Sequence, residues 1–210
     1  SVLYTSCDAL DLAPEDYFGS GNYWNNEAQV EGFMYGMHSQ LRGNYNMFYC
    51  LGELRGGTQR VGSSSQNTSL DYAILRTNTL SQDNPGFTNW FGLYSPIMQV
   101  NHFIQKVENE CAFLSEADRK TYLGQAYGLR ALYYFMLYKT YGGVPLITDV
   151  KVLEGGKISA DALYTERSTP ETILKFIKSD LEASELNFGN NVTIDRAMWT
   201  KYATLMLKAE

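Results

Sequence analysis

The residues able to do chemistry are sparse and scattered. His38 and His102 each stand alone, without a nearby Ser, Cys or paired carboxylate that would make a nucleophile with its base. His102, on a helical stretch, reads as a packing or hydrogen-bonding residue. Acidic residues are plentiful, yet no spacing marks a general acid with its base. The run Arg55-Gly56-Gly57-Thr58 lacks the Gly-Lys-Ser/Thr that would complete a phosphate cradle. Cys7, Cys50 and Cys111 are too few and too irregularly spaced for a disulfide framework or a CxxC metal site. Cys50 and Cys111 read as small buried hydrophobes. The expectation is therefore no catalytic residue, no metal site, no cofactor and no enzymatic activity.

Composition narrows the remaining classes. Of 210 residues, 44% are hydrophobic and 19% charged, a globular profile. With 17 basic against 23 acidic residues the net charge is −6, which argues against a surface that grips nucleic acid. No apolar run approaches the roughly 18 residues of a membrane span. Aromatic residues make up 14% of the chain, with 16 Tyr, more than a minimal core requires. Surplus tyrosine points to flat amphipathic contact surfaces.

Helical periodicity organises most of the chain. Ala28, Val30, Phe33, Met34, Met37 and Leu41 predict a first helix over 25–41, with Asn25 or Asn26 as its cap and Gly32 and Gly36 admitting a close neighbour. Trp90, Tyr94, Ile97, Met98, Asn101, Ile104 and Val107 follow one face of a second helix. On that stripe Trp90 reads as core. Ser115-x-x-Asp118 opens a long helix that stops at Gly142-Gly143, and Pro145 sets an extended segment after it. Within this helix Arg130 reads as the partner of a buried carboxylate or a helix end. Thr169-Pro170-Glu171 starts a further helix with Ile173, Leu174, Ile177, Leu181 and Leu186 inward, ending at Gly189-Asn190-Asn191. A last helix is predicted over 194–210, with Ala197, Met198, Tyr202, Leu205 and Met206 inward. It ends without a C-cap, as part of a longer natural chain would.

Two stretches escape this pattern: 149–168, and a long polar loop over 56–87 rich in Gly, Ser, Asn, Thr and Gln. A loop of that length is either a binding element or a passive insertion. The fold class that follows is all-α: a tetratricopeptide-like, right-handed stack of helix pairs with long irregular loops. Residues 1–22, acidic after Cys7, form a polar tether, and 23–210 form the helical domain. On its own residues Cys7, behind Thr5-Ser6, reads equally as a lipid-attachment site or an ordinary thiol near a terminus.

The stretch Gln125-Ala126-Tyr127-Gly128-Leu129-Arg130-Ala131, continuing through Tyr133, Tyr134, Tyr138 and Tyr141 into Gly142-Gly143-Val144-Pro145-Leu146, closely resembles the signature of the SusD/RagB family. The order of the other blocks agrees: the Trp90–Val107 helix, Arg167 to Glu171 with Asp180-Leu181, and Arg196-Ala197 with Lys201-Tyr202-Ala203. The resemblance implies a cell-surface lipoprotein of the outer membrane of Bacteroidetes. Such proteins capture glycans and hand them to a SusC-like TonB-dependent transporter, with a lipid on the N-terminal cysteine, here Cys7, as the only hold on the membrane. It also implies a tetratricopeptide-like scaffold of which this chain is the N-terminal part. A glycan site needs flat faces for sugar C–H surfaces and a few fixed polar groups. The candidates are Arg55, Arg60, Tyr72, Asn78, Asp83 and Asn84 in the polar loop, with Glu53, Asn67 and Phe87 beside them. Of the four tyrosines from Tyr133 to Tyr141, one or two are expected to leave the core for a transporter-facing surface or another helix. The competing reading is a helical-repeat scaffold that binds a peptide or protein through tyrosine anchors.

Overall fold

The computed structural model describes residues 23–58, 70–83, 86, 90–148, 165–193 and 195–210. Among them lie helices α1 (Glu27–Gly43), α2 (Tyr45–Leu51), α3 (Leu70–Thr77), α4 (Phe91–Asn109), α5 (Glu116–Tyr141), α6 (Pro170–Phe188) and α7 (Lys201–Ala209). There is no β-strand among the described residues, and an isolated bridge joins Pro145 to Arg167. The chain is all-α, with α4, α5, α6 and α7 packed in succession and α1 laid on α4. Cys7 and the rest of residues 1–22 lie outside the described residues.

The predicted start signals act as helix caps. Asn26 accepts the Gln29 N–H, Ser115 the Asp118 N–H and Thr169 the Thr172 N–H, each satisfying an orphan donor of the first turn. At the end of α5, Gly142 takes φ 71°, which favours glycine, and a Cβ on Gly143 would lie 2.2 Å from the Ser168 carbonyl. The Gly-Gly pair thus ends the helix and lets the 144–146 segment run beside Arg167-Ser168, where Ser168 N–H donates to Val144 O at 3.0 Å.

A buried polar network fixes how α4, α5 and α6 meet. Arg130 on α5 donates from Nε and Nη2 to both carboxylate oxygens of Asp180 on α6, at 2.7 and 2.8 Å, and from Nη1 to Asn101 on α4 at 2.8 Å. The carboxylate partner expected for Arg130 is Asp180. Asn101 Nδ2 then donates to Ile147 O at 2.8 Å, and the Tyr134 hydroxyl both donates to Ile147 O and accepts its N–H. Tyr94 donates to Pro145 O at 2.6 Å. The segment after α5 is thereby pinned from two helices. Burial, the largest single influence, would lower Arg130, but its hydrogen bonds to Asp180 together with the charge of that carboxylate and the nearby Tyr127 and Tyr134 outweigh it and hold the guanidinium above its ordinary value. Burial pushes the Asp180 carboxyl up against the pull of that guanidinium. The bidentate geometry keeps the pair ionised at neutral pH.

A second buried chain joins α5, α6 and α7. Trp199 Nε1 donates to the Thr204 hydroxyl, Thr204 to Ser184, and Ser184 to Gly124 O, at 2.8, 2.8 and 2.6 Å. A Cβ on Gly128 would sit 2.0 Å from Trp199 Nε1, and one on Gly124 would sit 3.0 Å from the Phe188 ring. Close approach therefore occurs at these two glycines of α5. Gly32 and Gly36 of α1, which the sequence suggested for that role, face outward; a Cβ on Gly36 would meet nothing within 4 Å.

These polar contacts explain where helical periodicity misplaces a face. Leu186, expected inward, is 80% exposed, because the side of α6 that reaches Arg130 and Gly124 O carries Asp180 and Ser184 with Ile173, Ile177, Leu181 and Phe188. α7 begins at Lys201 rather than 194: Asp195 Oδ1 accepts the Ala197 N–H in a local turn and Thr200 becomes the cap. Thr204, hydrogen-bonded to Trp199, then turns inward between the half-buried Ala203 and Leu207. Tyr202, Leu205 and Met206 are left exposed, the last at 76%, as is Ala197.

Tyr133 and Tyr134 are fully buried, whereas Tyr138 and Tyr141 are half-buried against the same core. Tyr134 meets another helix, its ring edge-on to Phe176 of α6 at 5.2 Å. Trp90 caps α4 instead of lying within it; its ring, half-buried, is edge-on to Tyr94 and Tyr141 with the Arg167 guanidinium 4.9 Å above it. His102 lies against the Trp24 and Phe33 rings. Cys111 and Cys50 are buried, as expected of small hydrophobes.

His38, expected to stand alone, ties α1 to the lead-in of α7. Its Nδ1–H donates to Met34 O at 3.0 Å, so Nε2 is left to accept the Trp199 N–H at 2.7 Å. Burial lowers its pKa from the ordinary 6.5, with Arg42 adding to the shift and the Met34 bond and Asp195 opposing it. The folded state favours the neutral ring, so its stabilisation is complete above about pH 6.5 and disappears as pH falls through the lowered value. Stability measured by urea unfolding is expected to drop between pH 7 and 5 by at most about 1.4 kcal/mol per pH unit from this group. In His38→Gln that part of the slope should vanish. At Asp180, replacement by Ala strands the Arg130 charge, and the expected loss is about 3–5 kcal/mol; the double variant Arg130→Met/Asp180→Leu should recover most of it.

Candidate ligand-binding site

Of the sequence-predicted site residues, Arg55 and Asn78 meet at one corner, where α2 and α3 come together. α2 arises because Met47, Phe48 and Leu51 pack on the main core while Cys50 turns to Leu54 and Leu75, a small separate cluster that holds α3 against it. Leu54 N–H closes the turn onto Tyr49 O at 3.0 Å, and Arg55 N–H bonds Gly52 O at 3.1 Å. Arg55 is thus presented one turn beyond α2. The expected loop over 56–87 is therefore not wholly irregular: α3 occupies its middle, with Ile74 and Leu75 buried.

Asn78 ends α3 in the left-handed conformation, at φ 52°. Thr79 N–H reaches back to Ile74 O at 3.1 Å and Asn78 N–H to Leu75 O at 3.3 Å, which satisfies the last carbonyls. Asn tolerates this backbone better than other side chains, and here it has a second task. Arg55 Nε donates to Asn78 Oδ1 at 3.0 Å while Asn78 Nδ2 donates to Arg55 O at 3.3 Å. This reciprocal pair orients the guanidinium and leaves its Nη1 and Nη2 without a hydrogen-bond partner among the described residues. Gly86, at φ 75°, lies so close to Leu75 and Leu80 that a Cβ would come within 2.9 Å of Leu80 Cδ2, so the chain folds back onto the end of α3.

Two of the six candidates, Arg55 and Asn78, are therefore brought into contact. Asp83 is exposed, between this pair and Gly86 in the chain. Arg60 and Asn84, with Asn67 and Phe87, lie outside the described residues, and Tyr72 is on α3 with its side chain outside them. Sequence reasoning passed over α2 itself, whose Tyr45-Asn46-Met47-Phe48-Tyr49 carries apolar and aromatic residues at helical spacing. Among the described residues no group of three His, Cys, Asp or Glu side chains is placed to hold a metal ion. The arrangement offers hydrogen-bond donors and aromatic surface, the chemistry of recognising hydroxylated ligands.

A family model described as starch-binding and associating with the outer membrane matches residues 13–206, and the chain belongs to this SusD-like family. A SusD-like protein of Formosa agariphila is 27% identical over 211 residues, 99% of this chain and 39% of the relative. Among solved structures, Bacteroides fragilis NanU is 35% identical with a TM-score of 0.77, over 94% of this chain and 38% of that one. A SusD superfamily protein from Bacteroides fragilis is also 35% identical, with a TM-score of 0.71, over 87% of this chain and 36% of its own. A laminarin-binding SusD-like protein shares the fold at 18% identity and a TM-score of 0.69. The chain thus spans about two fifths of the length of the curated relatives it matches.

The Arg55–Asn78 corner depends on both the backbone and the side chain of Asn78. In Asn78→Ala the left-handed residue is strained and the guanidinium released, and amide exchange at Thr79 should quicken by about tenfold. Asn78→Gly keeps the helix end and loses only the side-chain bonds, so exchange at Thr79 should stay near that of the parent.

Proposed function

We propose that this chain is the helical portion of a cell-surface glycan-binding lipoprotein. In this reading it captures oligo- or polysaccharide and passes it to a SusC-like TonB-dependent transporter, without catalysing a reaction. Residues 1–22 serve as a tether anchored by a lipid on Cys7, and 23–210 form the binding scaffold. Family membership across residues 13–206 carries the reading. The oriented Arg55 guanidinium supports it, with donors that have no partner among the described residues and suit sugar hydroxyls. No helix among the described residues is long and apolar enough to cross a membrane, which agrees with attachment by lipid.

Affinity electrophoresis of the full-length protein through gels containing plant, host and microbial polysaccharides, starch and laminarin among them, tests this reading. Retardation by at least one is expected, and Arg55→Ala should weaken it by roughly fivefold to tenfold, about 1–1.4 kcal/mol, the size of one lost hydrogen bond of ordinary net strength. A protein retarded by none, yet retaining a stoichiometric envelope partner in pull-downs, would instead be a peptide- or protein-binding scaffold.

A further inference from the structure

We propose that the outer face of α2 is a stacking platform for pyranose rings of a neutral glycan, built on Tyr45 and Tyr49. This rests on the glycan-binding reading and adds to it a site and a ligand chemistry. Tyr45 is 72% exposed and Tyr49 38%, and at i and i+4 they project from the same side of the helix. The opposite side holds α2 down through Met47, Phe48, Leu51 and the buried Cys50. Both rings therefore stand on a backbone fixed from beneath, so a ligand need not order it.

Three observations specify the occupant. First, α2 carries no charged side chain in a chain of net charge −6, so the platform itself offers nothing to bind an anionic or cationic group. Second, exposed tyrosine rings present flat apolar faces with a hydroxyl at the rim, a surface that suits a ring with C–H groups on its face and hydroxyls on its edge. Third, the chain passes directly from the platform to polar donors: Leu54 N–H bonds Tyr49 O, and Arg55 follows with Nη groups that have no partner among the described residues. A glycan lying on Tyr49 has hydrogen-bond donors six residues further along the same stretch of chain. An apolar peptide anchor would have no use for them.

The test is affinity electrophoresis of the full-length protein and of Tyr45→Ala, Tyr49→Ala, Tyr45→Phe and Tyr49→Phe, using the polysaccharides of the panel that retard the parent. Because both rings are exposed, thermal unfolding of the variants should match the parent. Each Ala variant is expected to bind a neutral polysaccharide about tenfold more weakly, while the Phe variants, which keep the ring, stay within about threefold. Retardation should be nearly unchanged at about 0.5 M NaCl, since stacking is not screened. Ala variants that bind like the parent would overturn the platform while leaving the glycan reading standing. The platform falls equally if they bind glycan normally but lose an envelope partner, or if the retained polysaccharide is acidic and is released by salt. A parent retarded by no polysaccharide would overturn both.

Discussion

The bidentate contact between Arg130 and Asp180 is the constraint around which this helical stack is arranged. A guanidinium and a carboxylate removed from water are tolerable only when well paired, and here two donors of Arg130 go to Asp180 and a third to Asn101 of another helix. That requirement fixes the rotation of α6 about its axis and its height against α5. Asn101 and Tyr134 then both donate to Ile147 O, and Tyr134 also accepts the Ile147 N–H, so the chain leaving α5 can follow a single path. Hydrophobic burial supplies most of the driving force for the packing, but it is indifferent to small rotations. Directional hydrogen bonds are not.

The same logic governs the end of the chain. The Trp199 indole lies on Gly128 with no room for a side chain, and its N–H begins the hydroxyl chain through Thr204 and Ser184 to Gly124 O. An unsatisfied buried indole or hydroxyl costs more than the exposure of a few apolar atoms. α7 therefore turns Thr204 inward and leaves Leu205 and Met206 outside, although their hydrophobicity argues for the reverse. His38 completes the arrangement from α1 by accepting the Trp199 backbone N–H, so a short helix with few neighbours is positioned from three directions.

The α2–α3 corner lies outside this polar framework: α2 rests on the main core through Met47, Phe48 and Leu51, and α3 is held more lightly. Its own cluster is small, formed by Cys50, Leu54 and Leu75, and the reciprocal Arg55–Asn78 pair is exposed to solvent. Light attachment suits a recognition surface, because side chains that face water stay available for a ligand. The aromatic face of α2 and the guanidinium belong to one continuous piece of backbone.

Helix starts at Asn26, Ser115 and Thr169, and the stop at Gly142-Gly143, are legible in the sequence because capping is local chemistry, settled within four residues. The family signature from Gln125 to Leu146 was legible for the same reason, being contiguous, and it agreed with the fold class already given by helical periodicity. The candidate site was only partly so: Arg55 and Asn78 were named, but their contact spans 23 residues of chain and depends on where α3 forms inside a stretch whose composition reads as loop. α2 escaped notice because seven residues are too few for periodicity to stand out. Ile173, Ile177 and Leu181 of α6 were legible as inward residues, but the exposure of Leu186 and the choice of the inward face of α7 were decided by the tertiary structure. Hydrophobic periodicity weighs a side chain by its own polarity, whereas the fold turns Asp180, Ser184 and Thr204 inward because their partners are already there, on α5 and at Trp199.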